Sequence, residues 1–524
     1  MVTVKRALLS CYDKAGLDAL AKALADHGIE LIASGGTAKF LTAQGLRVKT
    51  LEAFAGITEQ LGGRVKTLHP KIHAGILARR DDPAQVRAVG AAGLIDLVVV
   101  NLYPFEQTIR QPGASLAQAL EQIDVGGVTL LRAAAKNFAH VAAVSHPQQY
   151  ASVTEALKRD RGGLPEPFTH ALAIRAFQLT SAYDARIAGY LDEVAQPNRP
   201  PDAGHEGKPS LPAAMTMTLQ QHQALRYGEN PHQHGAWYLS QTDPVWGLGT
   251  LRQLQGKELS YNNLLDVDAA FRCLLDVEPP TCVIVKHHAP CGVASAPNLS
   301  LAYERAYACD AESAFGGIVG FNRPIDVALA ERLCATFLEV IMAPSIEPHA
   351  FAIFANKPNL RVSSMEWPPS RPREWEWRQL SGSWLGQEAD RSTVAADALR
   401  VVTRRAPSER ERADLLFAWS VAKHAPSNAI VLAAEAATVG IGQGQPSRVG
   451  SVRFAIQKAG ARARGAVAAS DGFFPFPDGI DVLAQAGITA VIQPGGSIRD
   501  PEVIEAADRA QLAMCFTGVR HFRH

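Results

Sequence analysis

Cysteine is scarce, seven in 524 residues, and no two form a Cys-x-x-Cys pair. Cys11, Cys273, Cys282, Cys291, Cys309, Cys334 and Cys515 therefore read as reduced, mostly buried thiols of a cytoplasmic protein, which excludes a disulfide scaffold. There is no excess of either charge: 52 Lys and Arg stand against 51 Asp and Glu, a net charge of +1. No global field then argues for nucleic acid or an anionic membrane as a partner. No apolar run is long enough to span a bilayer, and the first residues lack the h-region of a signal peptide. What remains, at 47% hydrophobic and 20% charged residues, is an ordinary globular composition too long for one core, so two to four domains are expected.

The first third alternates strand and helix. Residues 6–10 read as a strand, 17–25 as a helix stopped by Gly28, and 30–33 as a second strand running into Ser34-Gly35-Gly36-Thr37 and another helix. That order is the pattern of a parallel sheet with crossovers. The SGGT turn offers N–H groups and hydroxyls to a phosphate, or is simply a tight turn. GGRVKTLHPKIHA at 62–74 packs Arg64, Lys66, His69, Lys71 and His73 into a glycine-bounded loop, suited to an anionic substrate or merely solvated. Residues 97–100 form a strand delivering Asn101 and Tyr103, and Asp124, Gly126 and Gly127 precede a helix carrying Arg132 and Lys136. Polar groups at several strand ends imply one cleft at the sheet's C-terminal edge.

Residues 281–294, TCVIVKHHAPCGVA, place a buried strand directly before Lys286, His287 and His288. An ammonium beside an imidazole can bind a developing oxyanion and move a proton, although a strand end with snorkelling side chains looks alike. Two stretches recur: IVKHHAPCGVA (284–294) as SVAKHAPSNAIVLA (420–433), and IMAPSI (341–346) as VIQPGGSI (491–498). The preserved order implies duplicated α/β subdomains, about 213–362 and 394–524. The Pro- and Gly-rich residues 197–212 read as a linker after a long helix at 168–190. Residues 363–392 read as irregular and hold Trp367, Trp375, Trp377 and Trp384. An excursion packed on the surface is expected; a nucleic-acid stacking platform is the weaker alternative, because no basic excess surrounds the rings.

The runs LLSCYDKAGL, IASGGTAKFL, LGGRVKTLHPKIHAGILA, VVVNLYPF and QIDVGGVTLLRAAAKN, over most of residues 5–137, resemble the cyclohydrolase domain of the bifunctional AICAR transformylase/IMP cyclohydrolase family of purine biosynthesis. The resemblance implies a methylglyoxal-synthase-like parallel-sheet domain at 1–145 and a helical connector with linker at 146–212. It places phosphate and ribose contacts on Ser10, Lys14, Ser34, Gly35, Gly36, Thr37, Arg64 and Thr67, with Asn101, Gly126 and Gly127 beside them. Ring closure falls on Lys66, Tyr103, Asp124 and Lys136. Tyr12 departs from the small hydroxyl residue usual in the family.

From about Leu219 to the last residue, the runs LRYGENPHQ, GKELSYNNLLDVDAA, KHHAPCGVA, SAFGGIVGFN, KHAPSNAIV, VGIGQGQPSRVGSVR, SDGFFPF and FTGVRHFRH resemble the transformylase domain of the same family. That implies a duplicated cytidine-deaminase-like α/β unit at 213–524. Contacts to AICAR then fall on Arg226, Tyr227, Gly316, Glu339, Asn428, Arg448, Phe473 and Arg520. Lys286 and His287 form the catalytic pair, and the folate side falls on Val449, Asp478, Ser497 and Ile498. The implied co-substrate is 10-formyltetrahydrofolate, the products are FAICAR and then IMP, and the assembly is a homodimer. Ala289 and Pro446 depart from the family pattern. A zinc deaminase would need Pro-Cys-x-x-Cys, and Pro290-Cys291 is followed by Gly-Val-Ala, so no metal is expected. A nucleotide sensor would not need Lys66, Tyr103, Asp124, Lys286 and His287 together.

Overall fold

Alternation with period two along short apolar runs sets the first sheet. The structure, a computed structural model, describes residues 1–56, 65–195, 215–240, 245–372 and 374–524. It divides into two units, Met1–Thr218 and Leu219–His524. In the first, β1 (Arg6–Cys11), β2 (Glu30–Ala33), β3 (Val48–Thr50), β4 (Leu97–Asn101) and β5 (Ala142–Val144) form a parallel sheet in the order β3-β2-β1-β4-β5. Leu8, Ile32, Val98 and Val100 bury on one face, and Leu9, Leu31, Leu97 and Val99 on the other. A parallel sheet covered on both faces needs this two-sided apolar pattern. Helix α1 (Leu17–Asp26) buries Leu17, Leu20, Ala21 and Leu24, one face at helical spacing. Gly28 follows it at φ 72°, a left-handed residue that suits glycine. Helices α2 (Gly35–Ala43) and α3 (Val125–Lys136) follow strands, and α4 runs over Glu166–Ala195, longer at both ends than its sequence signal.

The second unit is built twice. Its strands are β6 (Arg252–Gln255), β7 (Thr281–Val285), β8 (Pro290–Ser295), β9 (Ile318–Phe321), β10 (Val340–Ala343) and β11 (Arg361–Ser364), then β12 (Arg400–Val401), β13 (Ile430–Ala434), β14 (Ala437–Gly442), β15 (Val467–Ser470), β16 (Ala490–Gln493) and β17 (Ala513–Phe516). Among the described residues they make one sheet, β6-β11-β10-β9-β7-β8-β14-β13-β15-β16-β17-β12. The order reads identically outward from its centre, where β8 and β14 pair antiparallel through Ala294 and Ala437. Helices α5 (Tyr261–Leu274) and α7 (Glu409–Ala422) share one core on one face of the sheet. On the other face α6 (Leu299–Cys309) and α8 (Arg448–Ala459) each pack in a core of their own.

One expectation holds and two change. The echo of 341–346 in 491–498 is structural, since both span the ends of equivalent strands, β10 and β16, and the turns after them. The echo of 284–294 in 420–433 is not: Lys286-His287 follows β7, whereas Lys423-His424 follows α7 and precedes β13. Equivalent elements there carry different sequences, because burial constrains a strand's hydrophobicity more than its identity. Residues 363–392 are less irregular than expected. Trp375–Leu380 pairs antiparallel with Ser383–Glu388 as a two-stranded ribbon, in which the Trp377 ring lies against Gly386. Residues 197–212 lie outside the described residues. Among the described residues no helix is long and apolar enough to cross a membrane. The seven cysteines are free thiols, all buried but Cys334.

Candidate functional site

In the first unit β1, β2 and β4 end side by side, and their last residues assemble a polar pocket edge. Ser10 on β1 and Ser34 after β2 face each other with hydroxyls 2.9 Å apart. Ser34 begins α2 without a side-chain cap, and the space beside Gly35 and Gly36 is open, with no atom within 4 Å of where a Cβ would stand. The first N–H groups of α2 are therefore free of intrahelical partners and approachable by an anion. The Thr37 hydroxyl bonds both the N–H and the carbonyl of Cys11, each at 3.1 Å. Asn101 ends β4 and holds the Asp13 N–H and carbonyl at 2.8 Å each, fixing the loop that carries Lys14. Lys14 donates to the Tyr12 carbonyl at 3.0 Å. Burial lowers its ammonium pKa, and the charge of Lys66 adds to the effect.

Lys66 also acts on Asp124, the N-cap of α3. Burial raises the Asp124 carboxyl, against the pull of the Gly127 and Tyr103 N–H groups and of Lys66. Asp124 accepts from Gly127 N–H at 2.6 Å. Glycine is required here by closeness: a Cβ on Gly127 would stand 2.5 Å from Asp124 Oδ2, and one on Gly126 2.2 Å from the buried Thr67 hydroxyl. The unusual Tyr12 packs edge-on against Tyr103, ring centroids 5.8 Å apart. Lys136 is not brought to this cluster. It is exposed at the far end of α3, and twelve residues of helix place it about 17 Å away. It lines instead, with Arg132, His170 and Phe177, a separate cleft of about 540 Å³. His69 caps the next helix and Lys71 lies 5.8 Å over the Phe54 ring, so two members of the basic loop serve the fold. Arg64 lies outside the described residues.

In the second unit Lys286–Ala289 is the turn between β7 and β8, closed by a 3.0 Å bond from Lys286 N–H to the Ala289 carbonyl. Lys286 Nζ donates to the Phe315 carbonyl at 2.5 Å and stands over Gly316, whose φ is 71°. His287 is exposed, with Nδ1 3.4 Å from Asp266 Oδ2. Glu339, before β10, accepts from Asn263 at 3.2 Å and lies 3.7 Å from Arg361. Arg226 lies 5.0 Å over the Tyr227 ring in a loop that Asn262 ties to the start of α5 through the Glu229 carbonyl.

A second locus forms on the other repeat. Asn428, Arg448, Val449, Phe473 and Asp478 line one cavity of about 460 Å³. Arg448 is buried; it donates to Asp471 at 2.5 Å, to Ser470 at 2.8 Å and to Asn428 Oδ1 at 2.8 Å. Arg520 stacks on Phe522 at 4.7 Å and Arg499 on Phe476 at 4.8 Å, and both rings line the same cavity. Ser497 caps the Arg499 N–H beside a fully exposed Ile498. The two loci share one sheet edge, separated by β8 and β14, a span of about 14 Å at ordinary strand spacing. Gln443 bridges towards the first locus by donating to the Pro290 carbonyl at 3.2 Å.

Residues 134–458 match the family model described as AICARFT/IMPCHase bienzyme, and residues 16–129 match the MGS-like domain. The bifunctional purine biosynthesis protein PurH of Dinoroseobacter shibae is 48% identical over 544 residues, covering 100% of this chain and 99% of its own. The chain belongs to the AICARFT/IMPCHase bienzyme family. The PurH protein of Cyanothece sp. is 49% identical over 522 residues, with 99% of each chain covered. A crystal structure of ForH is also similar, 38% identical with a TM-score of 0.33, over 35% of this chain and 94% of that one. The protein is therefore a bifunctional AICAR formyltransferase and IMP cyclohydrolase, an enzyme of the last two steps of purine biosynthesis acting on small molecules.

Within this AICARFT/IMPCHase chain the structure adds residues that the motifs did not single out. Asp266 and Asn263 lie on one face of α5, both buried, and reach the Lys286–Ala289 turn and Glu339. Burial pushes the Asp266 carboxyl up, opposed by the His288 N–H and by His287. Asp471, wholly buried, holds Arg448 from below. The available signal was an aspartate among the apolar positions of α5 and another directly after the apolar strand β15; their partners are remote in sequence. Among the described residues no group of three or more His, Cys, Asp or Glu is placed to hold a metal.

Proposed function

We propose that formyl transfer runs on Lys286 and His287, with 10-formyltetrahydrofolate as donor. The AICAR 5-amine is a poor nucleophile, because its lone pair delocalises into the imidazole and carboxamide. It attacks the formyl carbon while His287 takes its proton. Lys286 stabilises the alkoxide and helps protonate the departing folate nitrogen. AICAR sits against Arg226, Tyr227, Gly316, Glu339, Asn428, Arg448, Phe473 and Arg520, and the folate against Val449, Asp478, Ser497 and Ile498. The observation that carries this reading is the turn at Lys286–Ala289, which offers an ammonium and an exposed imidazole side by side at a sheet edge.

Ring closure is the second step. The carboxamide nitrogen of FAICAR attacks the formyl carbon, and water then leaves. Both groups belong to one molecule, so the enzyme's task is to hold a near-attack geometry and move protons. Ser10, Lys14, Thr67 and the N–H groups at Ser34–Thr37 bind the phosphate and ribose, Lys66 stabilises the alkoxide, and Tyr103 and Asp124 move the protons. The convergence of Lys66 with Lys14 and Asp124 supports this assignment; Lys136, at the opposite end of α3, is left out of it. The enzyme works in the cytoplasm as a homodimer, with the transformylase site shared between chains, a reading supported by the separation of the two loci.

The test supplies AICAR and 10-formyltetrahydrofolate and follows both products. Lys66→Ala should still release tetrahydrofolate while FAICAR accumulates. Normal IMP output from that variant would sink the assignment.

A further inference from the structure

Helix α5 carries Asp266 as its sixth residue, and α7 carries Asp414 as its sixth. Both are buried, at 5% and 6% exposure. Each turns Oδ1 to a backbone N–H in the hairpin between the two strands that follow: Asp414 accepts from Ala436 at 2.8 Å, and Asp266 from His288 at 2.5 Å. Both of those residues have positive φ, 54° and 62°. The two aspartates are thus one duplicated device, a buried anchor for a strained hairpin. The repeats part at the second oxygen. In the first repeat Asp266 Oδ2 lies 3.4 Å from His287 Nδ1, and the imidazole is 75% exposed against 7% for the carboxylate.

We propose that Asp266 is a positioning residue for formyl transfer: its second oxygen holds His287 through Nδ1–H, so that Nε2 carries the lone pair and faces outward as the base. The proposal rests on the reading of His287 as that base. A neutral imidazole has two tautomers, and an acceptor beside Nδ1 selects the one with the proton there. An exposed ring is otherwise free to turn, so a buried carboxylate supplies both orientation and tautomer, the role an aspartate plays in hydrolase triads. The duplication provides the internal comparison, because Asp414 keeps the hairpin anchor and has no imidazole of the facing turn to hold.

The experiment compares Asp266→Asn, Asp414→Asn, His287→Ala and the double variant of Asp266→Asn with His287→Ala in the full chain. Asparagine keeps the oxygen that accepts from the hairpin but presents an NH₂ group to Nδ1, which favours the wrong tautomer. Asp266→Asn should lower kcat for formyl transfer by about tenfold or more, leave KM for AICAR within about twofold, and leave cyclisation unchanged. Asp414→Asn should leave both rates near the parent. The double variant should be no slower than His287→Ala alone, because Asp266 acts through that ring. Equal losses from Asp266→Asn and Asp414→Asn would reduce Asp266 to a hairpin anchor. A further loss in the double variant would place its action elsewhere. Full activity in His287→Ala would remove the base assignment itself, whereas an inactive His287→Ala with an active Asp266→Asn would overturn only the proposal.

Discussion

His287 and His288 are adjacent imidazoles, both exposed, and one carboxylate tells them apart. In a continuing strand, alternation would send two successive side chains to opposite faces. The strand ends at Val285, and both lie in a turn, so alternation does not apply. His288 gives Asp266 its backbone N–H, while His287 gives its ring. His287→Ala is therefore expected to slow formyl transfer by roughly two to four orders of magnitude, the range of a positioned general base. His288→Ala, which keeps the N–H, should cost far less. Steady-state rates of both variants, with AICAR affinity measured alongside, decide the matter; an inactive His288→Ala beside a working His287→Ala reverses the assignment.

At the scale of an element, the end of α7 commits a second Lys-His pair to a buried ion cluster. Lys423 and His424 are buried, and both reach Asp276, at 3.1 and 2.7 Å, with Arg371 on the same carboxylate at 3.1 Å. Burial pushes the His424 imidazole down to about 4, partly countered by Asp276. Burial also pushes the Asp276 carboxyl up, but His424, Lys423 and Arg371 outweigh it and hold it below the usual carboxylate range. The signs agree. Between its unfolded value of 6.5 and about 4, His424 binds more protons unfolded than folded, so stability falls as pH falls through that window. Asp276 extends the loss below the ordinary carboxylate value. The thermal midpoint should drop progressively from pH 7 to pH 4, and His424→Gln should flatten the upper part of that slope. An unchanged slope in the variant would move the acid-sensitive group elsewhere.

On the scale of the whole molecule, the residues proposed for the two activities are arranged differently. The described residues proposed for cyclisation come from neighbouring strand ends and the starts of two helices, α2 and α3. Those proposed for formyl transfer form two loci on one sheet edge. If both loci of a site come from paired chains, dilution should lower formyl transfer per chain while cyclisation per chain holds. Sedimentation velocity across the same concentrations should place the loss at the dissociation of the dimer. Parallel decay of both rates, or a fully active monomer, would contradict a shared site.

How much was legible in the sequence follows from what each signal depends on. Fold class and the strand–turn–helix units follow from local rules of period, cap and turn, which need no distant partner. Lys66, Asp124, Lys286 and His287 stand in motifs that chemistry makes recognisable. Three things needed the tertiary structure. The displacement of Lys136 comes from the length of an unbroken helix, which a motif compresses into neighbouring letters. The burial of Lys423 and His424 comes from packing against Asp276, 147 and 148 residues away in the chain. The anchoring of the Lys286–Ala289 turn by Asp266 comes from a helix packed beside the end of a strand. Sequence alone determined which side chains have the right chemistry, because reactivity is a property of the residue. Which of them meet was decided only by folding, because the apolar faces of strands and helices set the distances and the polar groups are carried along.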